Sequence, residues 1–159
     1  MARRQSRERA LQILFQWDIH QSIGGKKSHP EKWLDEFWTQ NPAEPDIKEF
    51  AERLAQGVMS EQSELDRVIG SSSSNWRIDR MPVVDRNILR AAVYELLHMP
   101  DVPAKVSVNE AIELAKRFAD DETRKFVNGV LDQVLKSDAR LKTKRQEFAE
   151  STARVESEG

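Results

Sequence analysis

The chain has 159 residues, of which 38% are hydrophobic and 33% are charged, and its formal net charge is −2. It contains no cysteine, which excludes disulfides, thiolate metal sites, iron–sulfur clusters and cysteine nucleophiles. No apolar run approaches the roughly 20 residues that a membrane-spanning helix needs, and the arginine-rich start lacks the apolar segment of a secretory signal. We therefore expect a soluble protein of a reducing compartment, with one domain or two small lobes.

Apolar residues at spacings of three and four predict helices throughout the first half of the chain. Three such segments are predicted: residues 6–21, a short one that begins at Pro30, and a long one from Pro45 to Ile69 that bends near 57–60. Gly70 and the serine run after it (71–74) are too polar and flexible to pack. We predict that this break separates an N-terminal lobe, about residues 1–70, from a C-terminal lobe, about residues 76–140.

The second half shows the same helical spacing. Helices are predicted to begin at Pro82, near Ser107 and at about Asp121. Ser107 followed three residues later by Glu110 is typical of a capping box, which is why the second of these helices is placed there. The last part of the chain, residues 141–159, is highly charged and is predicted to be a flexible extension. No window favours a strand, so the predicted fold class is all-α.

No arrangement typical of an active site or a metal site is visible. None of the three histidines belongs to a His-x-x-x-His pair or lies beside a carboxylate at ligand spacing. The serines form no Gly-x-Ser-x-Gly turn. Asp120, Asp121 and Glu122 form a carboxylate cluster, but at a helix start they more simply complement the helix dipole. We predict no catalytic residues, no metal site and no cofactor.

Arginines are concentrated at the N-terminus. They are Arg3, Arg4, Arg7 and Arg9, and within this run only Glu8 opposes them. A solvated charge run is the simpler interpretation. In a helix, however, Arg7 nearly coincides in azimuth with the apolar Leu14, and burying an unpaired arginine costs on the order of several kcal/mol. We therefore predict that the first two turns overhang the core or are unwound, and project a cationic arm suited to phosphate or base edges.

Phe126 is the second candidate for a nucleic-acid contact. It lies one position off the apolar stripe of the last helix and directly follows Arg124 and Lys125. Single-stranded RNA is held largely by stacking its bases on aromatic or guanidinium planes, beside phosphate contacts. An aromatic residue beside two cations at a helix N-terminus suits a stacked base and its phosphate. Packing in the core is an equal alternative for a lone off-stripe phenylalanine.

Four sequence strings occur in the order found in the NusB family. The opening Arg3-Arg4-x-x-Arg7-Glu8-x-Ala10-x-Gln12-x-Leu14-Phe15 resembles the N-terminus of that family. Residues 84–96 (VDRNILRAAVYEL) are similar to its central helix. Residues 109–116 (NEAIELAK) and 125–132 (KFVNGVLD) resemble its two remaining signatures. The resemblance covers about residues 2–136 and leaves out only the charged end of the chain.

The resemblance implies an all-α bundle of about seven helices, arranged as two small lobes that share one core, and no enzymatic activity. It implies binding of the single-stranded boxA element of ribosomal RNA leader transcripts. It also implies a heterodimer with NusE, a small-subunit ribosomal protein. This complex would join RNA polymerase and other Nus factors and suppress premature termination of transcription.

The resemblance also implies roles for individual residues, through their positions in the matching strings. The resemblance implies that Arg3, Arg4 and Arg7 contact RNA, with Phe126 at the start of the last helix and Asp85 nearby. Arg9, Arg124 and Lys125 join this RNA-binding set as neighbouring cations. Phe15 and Glu122 are assigned to the partner surface. Because Phe15 stands where relatives often have tyrosine, a packing role is favoured for it.

Two alternatives remain open from the sequence. The protein could be a structural helical adaptor or a homodimer in which the RNA arm is masked. It could also be an accessory RNA-binding domain of the RNA cytosine methyltransferase type. The methyltransferase type would need a large cofactor-binding domain, which we do not expect in a chain that ends at Gly159.

Overall fold

The computed structural model describes residues 2–24, 33–73 and 77–158, and these residues are almost entirely helical. Within those ranges there are eight α-helices, two single-turn 3-10 helices and no strand, which confirms the all-α prediction. The α-helices are α1 (Ala2–Gly24), α2 (Leu34–Gln40), α3 (Pro45–Ser60), α4 (Gln62–Ser72), α5 (Val83–His98), α6 (Ala104–Phe118), α7 (Asp121–Ser137) and α8 (Lys142–Glu158). The 3-10 helices are Ile78–Arg80 and Ala139–Leu141. The helix start predicted at Pro30 lies outside the described ranges, as does residue 74 of the serine run.

The helices fall into two compact units, Met1–Ser60 and Glu61–Gly159. The division lies at the bend predicted near 57–60, where α3 ends, and not at the polar break after Gly70. Helix α4 therefore belongs with the second unit. Its buried side chains are Leu65, Val68 and Ile69, and it packs against α5 and α7. The apolar face of α4, and not the polar break that follows it, decides which unit the helix joins.

In the first unit, α1 packs along α3. The buried apolar side chains of the two helices are Ala10, Leu11, Ile13, Leu14 and Trp17 on α1 and Ile47, Phe50, Ala51, Leu54, Ala55 and Val58 on α3. Helix α2 adds Trp38, whose indole N–H donates to Glu52 Oε1 at 2.7 Å. Burial on α1 begins at Ser6 and Arg7, and Arg3 and Arg4 in the first turn are exposed.

In the second unit, α5 is the central helix and packs against α4, α6 and α7. Because α5 is enclosed, its charged side chains are held by neighbouring helices. The buried guanidinium of Arg90 donates from Nε and Nη2 to the two carboxylate oxygens of Asp66 on α4, at 2.7 and 3.0 Å. This bidentate pair joins α4 to α5.

The capping box predicted at Ser107 is not formed. Helix α6 begins one turn earlier, at Ala104, directly after Pro103. Ser107 is buried, and its hydroxyl donates to Glu95 Oε1 on α5 at 2.9 Å. The proline starts the helix because its fixed φ suits that position, and the serine is then used to satisfy a buried carboxylate.

The charged end of the chain, predicted to be flexible, instead forms α8. Lys144 is buried, and its ammonium group donates to the carbonyls of Glu95, Met99 and Val102 at 3.0, 2.8 and 2.8 Å. Arg145 donates in the same way to the carbonyl of Leu135, in the last turn of α7, and to that of Asp138, which follows α7, at 2.6 and 2.9 Å. Cations stabilise helix C-termini because the last carbonyls of a helix have no partner within it.

Candidate nucleic-acid interface

The N-terminal arginines lie on the first two turns of α1 and differ in burial. Arg3 and Arg4 are exposed, Arg9 is half-buried and Arg7 is only 5% exposed. The turns remain helical, and Arg7 packs into the first unit. The predicted overhang is therefore wrong for the second turn, whereas Arg3 and Arg4 in the first turn are exposed.

The ring of Phe50 on α3 is one of the groups that Arg7 meets inside the first unit. The guanidinium carbon of Arg7 lies 5.4 Å from the ring centroid, and that of Arg3 lies 4.3 Å from it. Positions 3 and 7 are about one helical turn apart, so both side chains reach the same ring. A guanidinium is planar and weakly hydrated, and its face stacks favourably on an aromatic face. The free-energy cost predicted for burying Arg7 assumed an unpaired guanidinium and did not include a contact with this ring.

Arg9 and Phe15 complete the predicted residues of α1. Arg9 Nη1 donates to Gln12 Oε1 at 3.0 Å, while its Nε is buried without a hydrogen-bond partner among the described residues. Phe15 is 38% exposed. Arg9 is thus engaged with its own helix, and Phe15 contributes an exposed aromatic ring to the surface of the first unit.

The second candidate surface is a pocket of about 330 Å³ in the second unit. It is lined by Arg80, Met81, Pro82, Asp85, Asp120, Glu122, Thr123 and Phe126. Three residues selected from the sequence, Asp85, Glu122 and Phe126, meet here although they come from the starts of two different helices. The volume lies at the lower end of the range of about 300–1,000 Å³ that is typical of small-ligand sites.

Thr123 connects two carboxylates of the pocket. Its backbone N–H donates to Asp120 Oδ1 at 2.8 Å, which caps α7, and its hydroxyl donates to Asp85 Oδ2 at 3.2 Å. The backbone hydrogen bond from Thr123 lowers the pKa of Asp120. Burial raises the pKa of Asp85, although the bond from Thr123 acts in the opposite direction. One threonine therefore holds two carboxyl groups whose surroundings move their pKa values apart.

The cations that precede Phe126 do not line the pocket. Arg124 Nε lies 2.8 Å from Asp121 Oδ1, and Lys125 Nζ lies 3.8 Å from Asp121 Oδ2. The hydrogen bond from Arg124 lowers the pKa of Asp121. The predicted phosphate contacts beside Phe126 are thus partly balanced by Asp121 of the same helix.

The pocket lining itself is acidic, with three carboxylates and one guanidinium, that of Arg80. Such a surface accepts hydrogen bonds from N–H groups and disfavours a phosphate. Phe126 adds an aromatic face to it. The arrangement suits a planar, nitrogen-rich group.

The sequence did not point to Phe50, Thr123 or the Arg80–Pro82 side of the pocket. Phe50 belongs to an ordinary apolar stripe, so nothing marked it as a neighbour of α1. For Thr123 a signal existed, since Asp120 three residues before it has the spacing of an N-cap and its N3 position. In the part of the chain that the structure describes, no cluster of His, Asp and Glu side chains could hold a metal ion, and no helix is long and apolar enough to cross a bilayer.

Comparison with known proteins yields consistent matches. The sequence model of a family described as the NusB family matches residues 4–136. The transcription antitermination protein NusB of Myxococcus xanthus is 44% identical over 137 residues, which cover 84% of this chain and 94% of that protein. A structure of T. maritima NusB has a TM-score of 0.77 and 36% identity, and covers 91% of this chain and 96% of its own. A crystal structure of the antitermination factors NusB and NusE in complex with double-stranded RNA has a TM-score of 0.74 and 29% identity, and covers 86% and 98%.

Proposed function

The chain belongs to the NusB family, and on that premise we propose that it is a non-catalytic, RNA-binding transcription antitermination factor that acts with NusE. The observation that carries this proposal is the likeness of most of the chain to a NusB that was crystallised with NusE and RNA. Its RNA target is the boxA element of ribosomal RNA leaders. Through NusE it joins RNA polymerase and the other Nus factors in the cytoplasm.

Arg3 and Arg4 supply the cationic contact. Both are exposed at the first turn of α1, where their planar donors can bind phosphate oxygens. Arg7 supports them from within the first unit and does not itself reach the RNA in this conformation, since it is buried. Arg124 and Lys125 add contacts outside the pocket, at a strength reduced by Asp121.

The pocket of the second unit binds an unpaired base. Phe126 stacks on the base, and Asp85, Asp120 and Glu122 accept hydrogen bonds from its amino or imino groups. The same carboxylates disfavour a phosphate in the pocket, so the base edge enters and not the backbone. A flipped or single-stranded base is required for this contact because a paired base hides its edge.

NusE raises the affinity of the complex. The net charge of the chain is −2, and the proposed phosphate contacts of α1 are limited to Arg3 and Arg4. The chain therefore neutralises few phosphates, and its RNA binding without a partner is modest. A partner with its own basic surface adds phosphate contacts. Phe15 and Glu122 are the residues proposed for the partner surface, Phe15 because of its exposed ring.

The test is boxA binding with and without NusE, together with the charge-reversal variant Arg3→Glu/Arg4→Glu. We expect NusE to increase the affinity and the double reversal to reduce it at least about tenfold, because two cations become anions beside the phosphates. Arg53→Glu, which reverses an exposed arginine on α3 of the same unit, is the matched control. Circular dichroism checks that all variants keep their helicity. The proposal is contradicted if NusE does not change the affinity for boxA RNA. It is also contradicted if the double-reversal variant binds boxA RNA as well as Arg53→Glu does.

A further inference from the structure

We propose that Phe50 is a positioning residue for RNA binding, which holds the guanidinium of Arg3 flat on its ring and so fixes the direction of that group's donors. This inference rests on the proposed function, since it assigns a role within RNA recognition. It concerns a residue of α3 that lies in the core of the first unit and is only 7% exposed. Its own contact with RNA is therefore not required.

The guanidinium of Arg3 lies over the ring of Phe50. The Arg3 guanidinium carbon lies 4.3 Å from the centroid of the Phe50 ring, well within the roughly 6 Å at which cation–π attraction is significant. Arg7 lies 5.4 Å from the same centroid and is buried. Arg7 thus forms a fixed side of the site, while Arg3 is its exposed member.

Stacking uses the face of a guanidinium and leaves its edge for other partners. All five N–H donors of arginine lie in the plane of the group, so a group that lies on a ring directs them sideways, away from the ring. The edge is also the part that binds a phosphate in a bidentate manner. Contact with Phe50 and contact with a phosphate are therefore compatible in one conformation of Arg3.

The benefit is a smaller entropic cost of binding. An exposed arginine samples many rotamers, and ordering it on binding reduces the affinity. A side chain that is already stacked loses less freedom when it meets the phosphate. Phe50 then influences RNA affinity through the donors of Arg3, which separates this role from a general contribution to stability.

A double-mutant cycle tests the proposal in the full chain, with a labelled boxA oligoribonucleotide as the probe. Phe50→Leu keeps an apolar side chain but removes the ring, and we expect it to weaken binding about threefold. Phe50→Tyr keeps the ring face and should bind like the original chain. In the Arg3→Ala background, Phe50→Leu should have no further effect. The proposal is overturned if a folded Phe50→Leu variant binds RNA as well as the original chain. It is also overturned if Phe50→Leu weakens binding by the same factor in the Arg3→Ala background as in the original chain.

A measurement on the unaltered protein covers the case in which Phe50→Leu does not fold. A guanidinium over an aromatic face experiences the ring current, so the Arg3 Nε–H signal in the NMR spectrum should lie upfield of the Arg4 signal. Equal shifts for the two arginines overturn the proposal without any core substitution. This readout needs no RNA. If the unaltered chain fails to bind boxA, the proposed function fails, whereas the upfield shift still reports whether the stack exists.

Discussion

The start of α1 and the pocket around Phe126 both combine an aromatic ring with charged side chains, but in opposite ways. At α1 the ring of Phe50 belongs to the core and the protein's own guanidinium groups cover it. In the pocket, Phe126 is half-buried and the neighbouring charges are three carboxylates and one arginine. The first surface is suited to phosphates and the second to the edge of a base. Under the proposed function, the first unit therefore contacts phosphates and the second unit contacts a base.

This division explains how a protein of slightly negative net charge can bind RNA. Positive charge is needed only where phosphates lie, and a carboxylate is useful where a base presents N–H donors. A surface that is basic throughout binds any polyanion, because phosphate contacts carry no sequence information. Under the proposed function, the acidic residues beside Phe126 therefore favour selectivity over affinity.

Among single substitutions, the largest expected effect is that of Phe126→Ala. Loss of base stacking should reduce boxA affinity about tenfold, since stacking on an aromatic side chain contributes about 1–3 kcal/mol per base. The salt dependence of binding should stay unchanged, because no phosphate contact is removed. Fluorescence anisotropy over a range of salt concentrations measures both quantities. Phe118→Ala, which removes a 41% exposed phenylalanine from the same unit, is the control. A control variant that is equally impaired contradicts a specific role of Phe126.

A smaller effect of a different kind is expected for Arg3→Ala. The affinity should fall about fivefold, and the slope of the logarithm of affinity against the logarithm of salt concentration should become shallower by about 0.7, the value for one phosphate contact on a single strand. Arg53→Ala removes an arginine from the same unit and should change neither. If Arg3→Ala and Phe126→Ala alter the slope equally, the two surfaces do not divide phosphate and base as described.

The smallest effect concerns stability in the absence of RNA. Burial raises the pKa of Asp85, so the folded state retains its proton to a higher pH than the unfolded state. The favourable contribution of the neutral form is present below the unfolded pKa, near 3.8, and is lost as the pH rises through the folded pKa. Asp85→Asn mimics the neutral form and can still accept from Thr123. We therefore expect Asp85→Asn to raise Tm by about 2 °C at neutral pH and by less at pH 3.5.

Asp120→Asn is the matched control for this measurement, because the hydrogen bond from the backbone of Thr123 lowers the pKa of Asp120. Its ionised form is the one that the fold favours, so the substitution should not raise Tm at neutral pH. Thermal melts followed by circular dichroism at the two pH values compare the pair. A rise in Tm for both variants would indicate general relief of charge repulsion and not burial of Asp85.

Much of the fold was predictable because apolar spacing reports helices directly. The stripes after Pro45 and Pro82 correspond to α3 and α5, and the bend near 57–60 marks the end of α3. The compact units divide at the end of α3 and not at the predicted polar segment, because a polar, glycine-containing segment indicates flexibility but not which neighbour a helix packs against. Helix α8 was missed for a similar reason, since its order depends on carbonyls of α5 that only the folded unit brings to Lys144.

The sequence named several residues of the candidate site but not their contacts. Phe126 was named for its place beside two cations, Asp85 and Glu122 were named through the family resemblance, and the three line one pocket. It placed Arg7 on an exposed arm because helical azimuth shows that a residue faces the core but not what it meets there. Phe50 and Thr123 act through contacts between helices, and the spacing of apolar residues along one helix does not predict such contacts.

The buried ammonium of Lys144 limits how far this protein can be shortened. The region shared with the family ends at residue 136, so a fragment trimmed to that limit would keep α5 but lose the group that satisfies three of its neighbouring carbonyls. Those oxygens would then require water in a place where protein is packed. A trimmed fragment therefore differs from the whole chain in the integrity of its central helix, and a loss of RNA binding in such a fragment would reflect damage to the scaffold and not the removal of a contact.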